Sequence, residues 1–195
     1  EEVISAENLT YTVDEERLIA GDNLAITLKK AEGTDVGDYD ITGSAGNTNY
    51  KVNFTNGTYR ILPRGIDDAI VAISGINETA TYTYGEVPTI DVESVKVTLS
   101  GVETALTLDK DYVIASKKYA TWNKETNSYD VASATEVQPT AVGKYQVIVT
   151  INGQGNYNST VVKTAEYEIV AATIENAVVE LNEVEDQTFG ATIAP

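Results

Sequence analysis

The 195-residue chain contains no cysteine, no histidine and no methionine. Without cysteine it can form no disulfide, no thiolate metal site and no thiolate nucleophile. Histidine is the usual general base near neutral pH and the commonest transition-metal ligand, so its absence excludes Ser-His-Asp and Cys-His catalysis and histidine-based zinc sites. The sequence therefore predicts no catalytic residue, no metal site and no cofactor of the kinds that depend on cysteine or histidine.

Positive charge is also scarce, because 13 lysines and arginines stand against 30 acidic residues and leave a net charge of −17. Such a field repels nucleic acid and anionic membrane surfaces. The apolar runs are only a few residues long, which is too short to span a bilayer. We therefore expect neither nucleic-acid binding nor membrane insertion.

The remaining carboxylates suggest two kinds of chemistry. Asp35, Asp38 and Asp40 lie close together, as do Asp109 and Asp111, but neither group has the spacing of a calcium loop. Paired carboxylates can also hydrolyse glycosidic bonds, provided that they converge in a cleft. Because no motif indicates a cleft, we interpret these groups as solvated turn charge and expect the protein not to be an enzyme.

The sequence is similar to itself at a nearly constant offset, and this internal alignment defines its organisation. The matched segments are 36–41 with 142–147, 49–50 with 156–157, 59–61 with 167–169, 66–73 with 174–181, and 83–85 with 188–190. The alignment predicts the closing part of a repeat module at 1–65, a complete module at 66–170, and the opening strands of a further module at 171–195. Pro63 marks the first boundary, since proline cannot continue a central strand.

The segments between turn signals alternate apolar and polar residues with a period of two, which indicates half-buried strands. Val95 and Val97 belong to one such strand, and the segments 147–151 and 167–169 show the same alternation. Asn152-Gly153 has the composition of a tight turn. We predict an all-β protein of tandem Ig-like β-sandwich repeat modules, with β-grasp-like modules as the alternative.

Several motifs resemble a known group of repeats. YTYGEVP at 82–88 resembles the opening of the YGX type of MBG repeat in bacterial adhesin-like surface proteins, and AGDNL at 20–24, VGDYDI at 36–41 and FTNGTYRI at 54–61 resemble its closing half. DYV at 111–113, VGKY at 142–145 and GQGNY at 153–157 similarly resemble Ig-like repeats of Gram-positive cell-wall proteins. The resemblance implies an extracellular, cell-surface location in a bacterium, tandem arrays, and spacer or adhesive roles without catalytic residues.

The complete unit is longer than such repeats between residues 115 and 139, which predicts an inserted hairpin near 115–139. This insertion contains Tyr119, Trp122 and Tyr129, with a turn expected over 123–128. Exposed aromatic side chains stack on sugars or anchor interfaces, so these three are candidate ligand-binding residues for a host or environmental glycan or protein. The alternative is that Trp122 and Tyr129 form a cross-strand pair that holds the hairpin.

Three functions are consistent with these features: a stalk or spacer of an adhesin-like protein, a directly binding adhesin module, and an accessory module of a secreted polysaccharide-degrading enzyme. The repeat organisation also predicts head-to-tail self-association through 171–195, because opening strands could complete a unit that lacks them. The alternative is that the N-terminal unit is a shorter, self-sufficient variant.

Overall fold

The computed structural model describes residues 9–13 and 18–175, and within these ranges the chain is all-β, as the sequence predicts. No described helix is long and apolar enough to cross a membrane. The strands are β1 (Ile26–Lys30), β2 (Gly37–Ala45), β3 (Gly57–Ile61), β4 (Arg64–Gly65), β5 (Ile70–Ser74), β6 (Thr81–Thr83), β7 (Asp91–Leu99), β8 (Val102–Ala105), β9 (Tyr112–Asn123), β10 (Ser128–Tyr129), β11 (Gly143–Gly153), β12 (Tyr157–Asn158) and β13 (Thr160–Val170).

These strands form four sheets in the described part of the chain. Strands β1, β2 and β3 make an antiparallel N-terminal sheet in that order. The larger part of the chain contains a five-stranded sheet of order β10-β9-β11-β13-β6 and a three-stranded sheet of order β5-β7-β8. Strand β4 follows the N-terminal sheet in sequence and forms a short parallel pair with β12, which lies between β11 and β13. Strand β6 joins β13 in parallel, whereas the other pairs of the five-stranded sheet are antiparallel.

The main core lies within residues 66–170, where the five-stranded sheet and the β5-β7-β8 sheet contribute apolar side chains to one cluster. Val95 and Val97 on β7, and Val147 and Val149 on β11, are completely or almost completely buried. These residues occupy alternate positions because successive side chains on a strand point to opposite faces. The strands predicted from the alternation around Val95 and Val147 are therefore confirmed.

One predicted turn is wrong. Asn152 and Gly153 are the last residues of β11, where Asn152 is paired with Val113 on one side and Thr160 on the other. The Asn152 side-chain oxygen accepts a hydrogen bond from the Thr160 hydroxyl at 2.8 Å. Because β11 is an inner strand, its neighbours bond the Asn-Gly backbone on both sides, and the chain turns only at Gly155, which has a φ of 64°.

The N-terminal sheet and the five-stranded sheet each contain a cross-strand tyrosine pair at corresponding positions. Tyr39 on β2 lies opposite Tyr59 on β3, and Tyr145 on β11 lies opposite Tyr167 on β13. The ring centroids are 5.2 Å apart in the first pair and 5.6 Å apart in the second. In both sheets the hydroxyl of the first tyrosine donates to the carbonyl four residues earlier, at 2.8 and 2.9 Å. The strands that the internal alignment matches thus have corresponding local geometry.

Next to the tyrosine pair, each sheet has a cross-strand pair of opposite charges at the corresponding position. The acidic residue is on the first strand in one sheet and on the second strand in the other. Asp38 lies opposite Arg60 in the N-terminal sheet, and Lys144 lies opposite Glu168 in the five-stranded sheet. The Arg60 guanidinium donates two hydrogen bonds to the Asp38 carboxylate and lowers the pKa of Asp38 below its usual value. Each pair juxtaposes opposite charges, which is the favourable arrangement for directly opposed residues in a sheet.

Candidate functional site

The end of β9 and the short strand β10 form a hairpin within the insertion predicted near 115–139. Ser128 pairs with Asn123 and Tyr129 pairs with Trp122. The Asn123 side-chain oxygen accepts hydrogen bonds from the backbone amides of Glu125 and Thr126, at 2.8 and 3.3 Å. Asparagine favours such local bonds because its short side chain can replace a backbone acceptor in a turn. The turn sets Trp122 and Tyr129 directly opposite one another.

The two aromatic rings make an edge-to-face contact, with centroids 5.0 Å apart and an interplanar angle of 75°. Both Trp122 and Tyr129 are half-buried. A contact of this geometry contributes roughly 0.5–1.5 kcal/mol beyond the area that it buries. The pair therefore stabilises the hairpin and still leaves part of each ring accessible on the sheet surface.

Tyr119 lies on the other face of β9. It opposes Val147 of the core, is only 4% exposed, and its hydroxyl donates to the Gln138 side-chain oxygen at 3.3 Å. Because strand side chains alternate between faces, residues three apart cannot share one face. The structure therefore brings Trp122 and Tyr129 together but separates Tyr119 from them. The period-two rule, applied along one strand over 119–122, could have shown this from the sequence.

Charged side chains lie beside Tyr129 on the outer face of the five-stranded sheet. A shallow depression of about 180 Å³ is lined by Tyr129, Lys144, Glu166 and Glu168, together with 79–81 and Tyr167. We call Trp122, Tyr129, Lys144, Glu166 and Glu168 the outer-face patch. Its three charged residues were not predicted as site residues, although the polar positions of β11 and β13 alternate with the buried ones in the sequence.

The acidic side chains of the patch affect Tyr129. Burial, followed by the negative charges of Glu166 and Glu168 and a hydrogen bond to Glu166, raises the pKa of Tyr129 to about 12. The hydroxyl is protonated at neutral pH, as that of an unperturbed tyrosine is, and it can act as a hydrogen-bond donor. An aromatic pair next to a hydroxyl donor, an ammonium group and two carboxylates can hold a polar ligand with flat apolar surfaces.

Three of the five carboxylates considered from the sequence bond to separate partners rather than to a common centre. Asp35 accepts a hydrogen bond from Asn156 at 2.7 Å, Asp38 accepts from Arg60, and Asp111 accepts from the Thr107 amide at 2.9 Å. Within residues 9–13 and 18–175 no group of three or more acidic side chains could hold a metal ion.

A second feature of functional interest is the junction between the N-terminal sheet and the rest of the chain. Asn156 lies in the turn between β11 and β12 and contacts the segment before β2 with both ends of its side chain. Its oxygen accepts from the Val36 amide at 2.8 Å, and its nitrogen donates to the Asp35 carboxylate at 2.7 Å. The Asn156 carbonyl also accepts from the Arg64 amide at 3.0 Å, beside the β4–β12 pair.

Part of the chain matches a known family of domains. Residues 2–60 match the family model of the MBG domain (YGX type), which confirms the resemblance for this segment. The match ends at residue 60, before the predicted complete unit. No curated protein and no solved structure matches the chain. MBG domains are typically cell-surface modules, and the N-terminal segment is similar to a module of that kind.

Proposed function

We propose that the chain is a non-catalytic run of tandem cell-surface modules that acts as a stalk or spacer of an extracellular, bacterial adhesin-like protein. The MBG match at 2–60 supports the surface location. The shared tyrosine register of the N-terminal and five-stranded sheets supports the repeat organisation, with Ig-like sandwich modules of which 66–170 is one complete unit. The lack of cysteine and histidine supports a role without catalysis.

The observation that carries the stalk function is the junction at Asn156. A spacer keeps its length only if successive modules hold a fixed orientation, since a flexible joint lets the chain fold back on itself. Here the linker strand β4 is hydrogen-bonded to β12, and Asn156 bonds both the linker and the loop before β2. These contacts restrain the joint from two sides.

Replacing Asn156 by alanine is expected to loosen this joint. The change removes two side-chain hydrogen bonds, each contributing about 0.5–1.5 kcal/mol net, so the docked orientation loses about 1–3 kcal/mol. The chain has no native cysteine. The substitutions Thr27→Cys and Thr164→Cys therefore introduce two thiols, and spin labels attach only to these. Double electron–electron resonance measures the distance between the two labels. The distance distribution should be narrow in the parent and broad in the Asn156→Ala variant.

The matched control is Asn158→Ala, two residues further along the chain. The Asn158 backbone carbonyl accepts a hydrogen bond from the Ile66 amide at the junction, and an alanine at this position keeps that carbonyl. The Asn158 variant should therefore retain the narrow distribution. A distribution that is already broad in the parent would refute a stiff spacer.

The outer-face patch favours a second function, direct binding of a glycan or protein ligand. Its support is the half-buried Trp122–Tyr129 pair with a protonated hydroxyl and opposite charges around it. An accessory role beside a polysaccharide-degrading enzyme would use the same patch. Tyr119 is buried in the main core and is not part of the patch.

Trp122→Ala tests the binding function. If the patch binds a sugar, loss of the indole ring should weaken binding by about 10-fold or more, the usual effect of removing a central aromatic anchor. Glycan-array binding of the parent and the variant, followed by titration of any hit, provides the measurement. Tyr84→Ala is the control, because Tyr84 is an exposed aromatic outside the patch. Equal binding by all three proteins would exclude the patch as the ligand site.

A further inference from the structure

Two parallel strand pairs join the first strands of the larger part of the chain, β4 to β8, to its later strands, β9 to β13. Strand β4 pairs with β12 where the chain enters the complete unit, and β6 pairs with the end of β13. In the described part of the chain, the remaining first strands, β5, β7 and β8, form a sheet of their own. The backbone pairing between the two groups of strands therefore consists of β4–β12 and β6–β13 within the described residues.

The β4–β12 pair is short, but three hydrogen bonds and a buried side chain hold it. The Arg64 amide donates to the Asn156 carbonyl at 3.0 Å. The Ile66 amide donates to the Asn158 carbonyl at 3.2 Å and to the Ser159 hydroxyl oxygen at 2.9 Å. The Ile66 side chain is completely buried in the main core. Sliding β4 along β12 therefore breaks these bonds and also draws an isoleucine out of the core.

The β6–β13 pair holds the other end of β13 in the same way. Residues 81–83 lie opposite the last three residues of β13. At the two ends of this pair, the Glu168 amide donates to the Ala80 carbonyl and the Tyr84 amide donates to the Val170 carbonyl, both at 2.8 Å. The last residue of β13 is therefore bonded to the first group of strands.

The parallel direction of both pairs determines how tension along the chain loads them. In a parallel pair, the N-terminal end of one strand and the C-terminal end of the other lie at opposite ends of the pair. The chain enters through the N-terminal end of β4 and leaves through the C-terminal end of β13, which follows β12. Tension between these two ends pulls the strands of each pair lengthwise in opposite directions. The hydrogen bonds of a pair then bear the load together, in shear, rather than one after another.

The line of tension also runs along β13. The Arg64 amide contacts Asn156, in the turn that precedes β12 and β13, whereas Val170 is the last residue of β13. The 11 residues of this strand extend over roughly 34 Å at about 3.4 Å per residue. A load between Arg64 and Val170 is therefore directed along β13 and across its hydrogen bonds to β6 and β11.

We propose that the β4–β12 and β6–β13 pairs form a mechanical clamp that keeps the complete unit folded under tension. The proposal builds on the stalk function, because a stalk is pulled at both ends. It differs from the stiff joint, since the joint fixes the orientation of neighbouring units and the clamp sets the force at which one unit opens. The opening strands and the head-to-tail self-association predicted for 171–195 are not part of it, because residues 176–195 lie outside the described part of the chain.

Single-molecule force spectroscopy of the full chain in two pulling directions tests the clamp. Handles at Leu62→Cys and Thr173→Cys, two exposed positions outside both pairs, load them in shear. Handles at Val142→Cys and Thr173→Cys instead unzip the antiparallel β11–β13 pair from the end where Gly143 lies opposite Ile169. Forced unfolding depends on the barrier in the loaded direction, so the shear direction should need about twice the force or more.

Ser159→Ala tests the part that β4–β12 takes in the clamp. The change removes the hydroxyl that accepts from the Ile66 amide and keeps the Asn158 carbonyl. The unfolding rate at a fixed shear load should rise about 2- to 10-fold, the effect of one net hydrogen bond. The rate in the unzipping direction should stay that of the parent, because this bond is not loaded there.

The matched control is Ser100→Ala. Ser100 and Ser159 both have a positive φ, 49° and 67°, so the two variants make the same change in the same backbone conformation. Ser100 lies in the turn between β7 and β8, outside both parallel pairs, and its variant should unfold like the parent in both directions.

Three results would overturn the clamp: equal rupture forces in the two directions, equal shear rates for the Ser159 and Ser100 variants, or a Ser159→Ala effect of the same size in both directions. These results are separate from the spin-label distances. A broad label distribution together with a strong shear direction would refute the stiff spacer and support the clamp.

Discussion

Gly75→Ala is expected to destabilise the protein by about 3–5 kcal/mol, an unusually large loss for the addition of one methyl group. Gly75 directly follows β5 and has a φ of 80°, which L side chains rarely adopt. A Cβ at this position would overlap the carbonyl group of Thr89 and lie 3.0 Å from the Ile90 Cα. The backbone around Thr89 must therefore move, and the buried Ile90 side chain must move with it.

The matched control separates the clash from the backbone strain. Gly101 has a φ of 83°, but an added Cβ would have no atom within 4 Å. Gly101→Ala should therefore cost only the strain of the left-handed conformation, about 1–2 kcal/mol. Urea unfolding followed by circular dichroism measures both variants. Equal losses of unfolding free energy in the two variants would mean that the clash with Thr89 adds nothing to the cost of Gly75→Ala.

Ile169→Ala is expected to cost about 3–4 kcal/mol, and Ile61→Ala only about 1 kcal/mol. The two isoleucines occupy matched positions, opposite Gly143 and Gly37 respectively. Ile169 is buried in the main core, whereas Ile61 is only half-buried on the N-terminal sheet. Truncation leaves a cavity only where surrounding atoms enclose the side chain, so the same change has different costs.

Hydrogen exchange with mass spectrometry can measure both losses, because peptides from each unit report their own opening free energy. Val162→Ala, an exposed position on β13, serves as the surface control and should change stability by less than about 0.5 kcal/mol. An Ile61→Ala loss equal to that of Ile169→Ala would show that the N-terminal face is already covered.

The sequence was most informative where a residue pattern has a single physical cause, such as alternation of apolar and polar residues on a strand that buries one face. The alternation at Val95 and Val97 predicted β7 and its inner face, since only one face of each of these strands packs against the core. Val71 of β5 is buried whereas Ile70 is 52% exposed, which is the alternation expected of a half-buried strand. The outer-face patch was predicted only in part. Tyr119, Trp122 and Tyr129 were grouped because they are close in sequence, but the alternation of side chains along β9 places Tyr119 on the opposite face from Trp122.

The amino-acid sequence by itself determined the all-β class, the absence of cysteine and histidine chemistry, and the inward and outward positions along the strands. These properties depend on residue type and on a local period of two, both of which can be read along the chain. The tertiary structure alone decided that Asn152-Gly153 continues β11, that β6 joins β13 in parallel, and that Asn156 reaches Asp35 across 121 positions. Such contacts depend on which segments the fold brings together, because a hydrogen bond is selected by distance in space and leaves no periodic trace in the sequence.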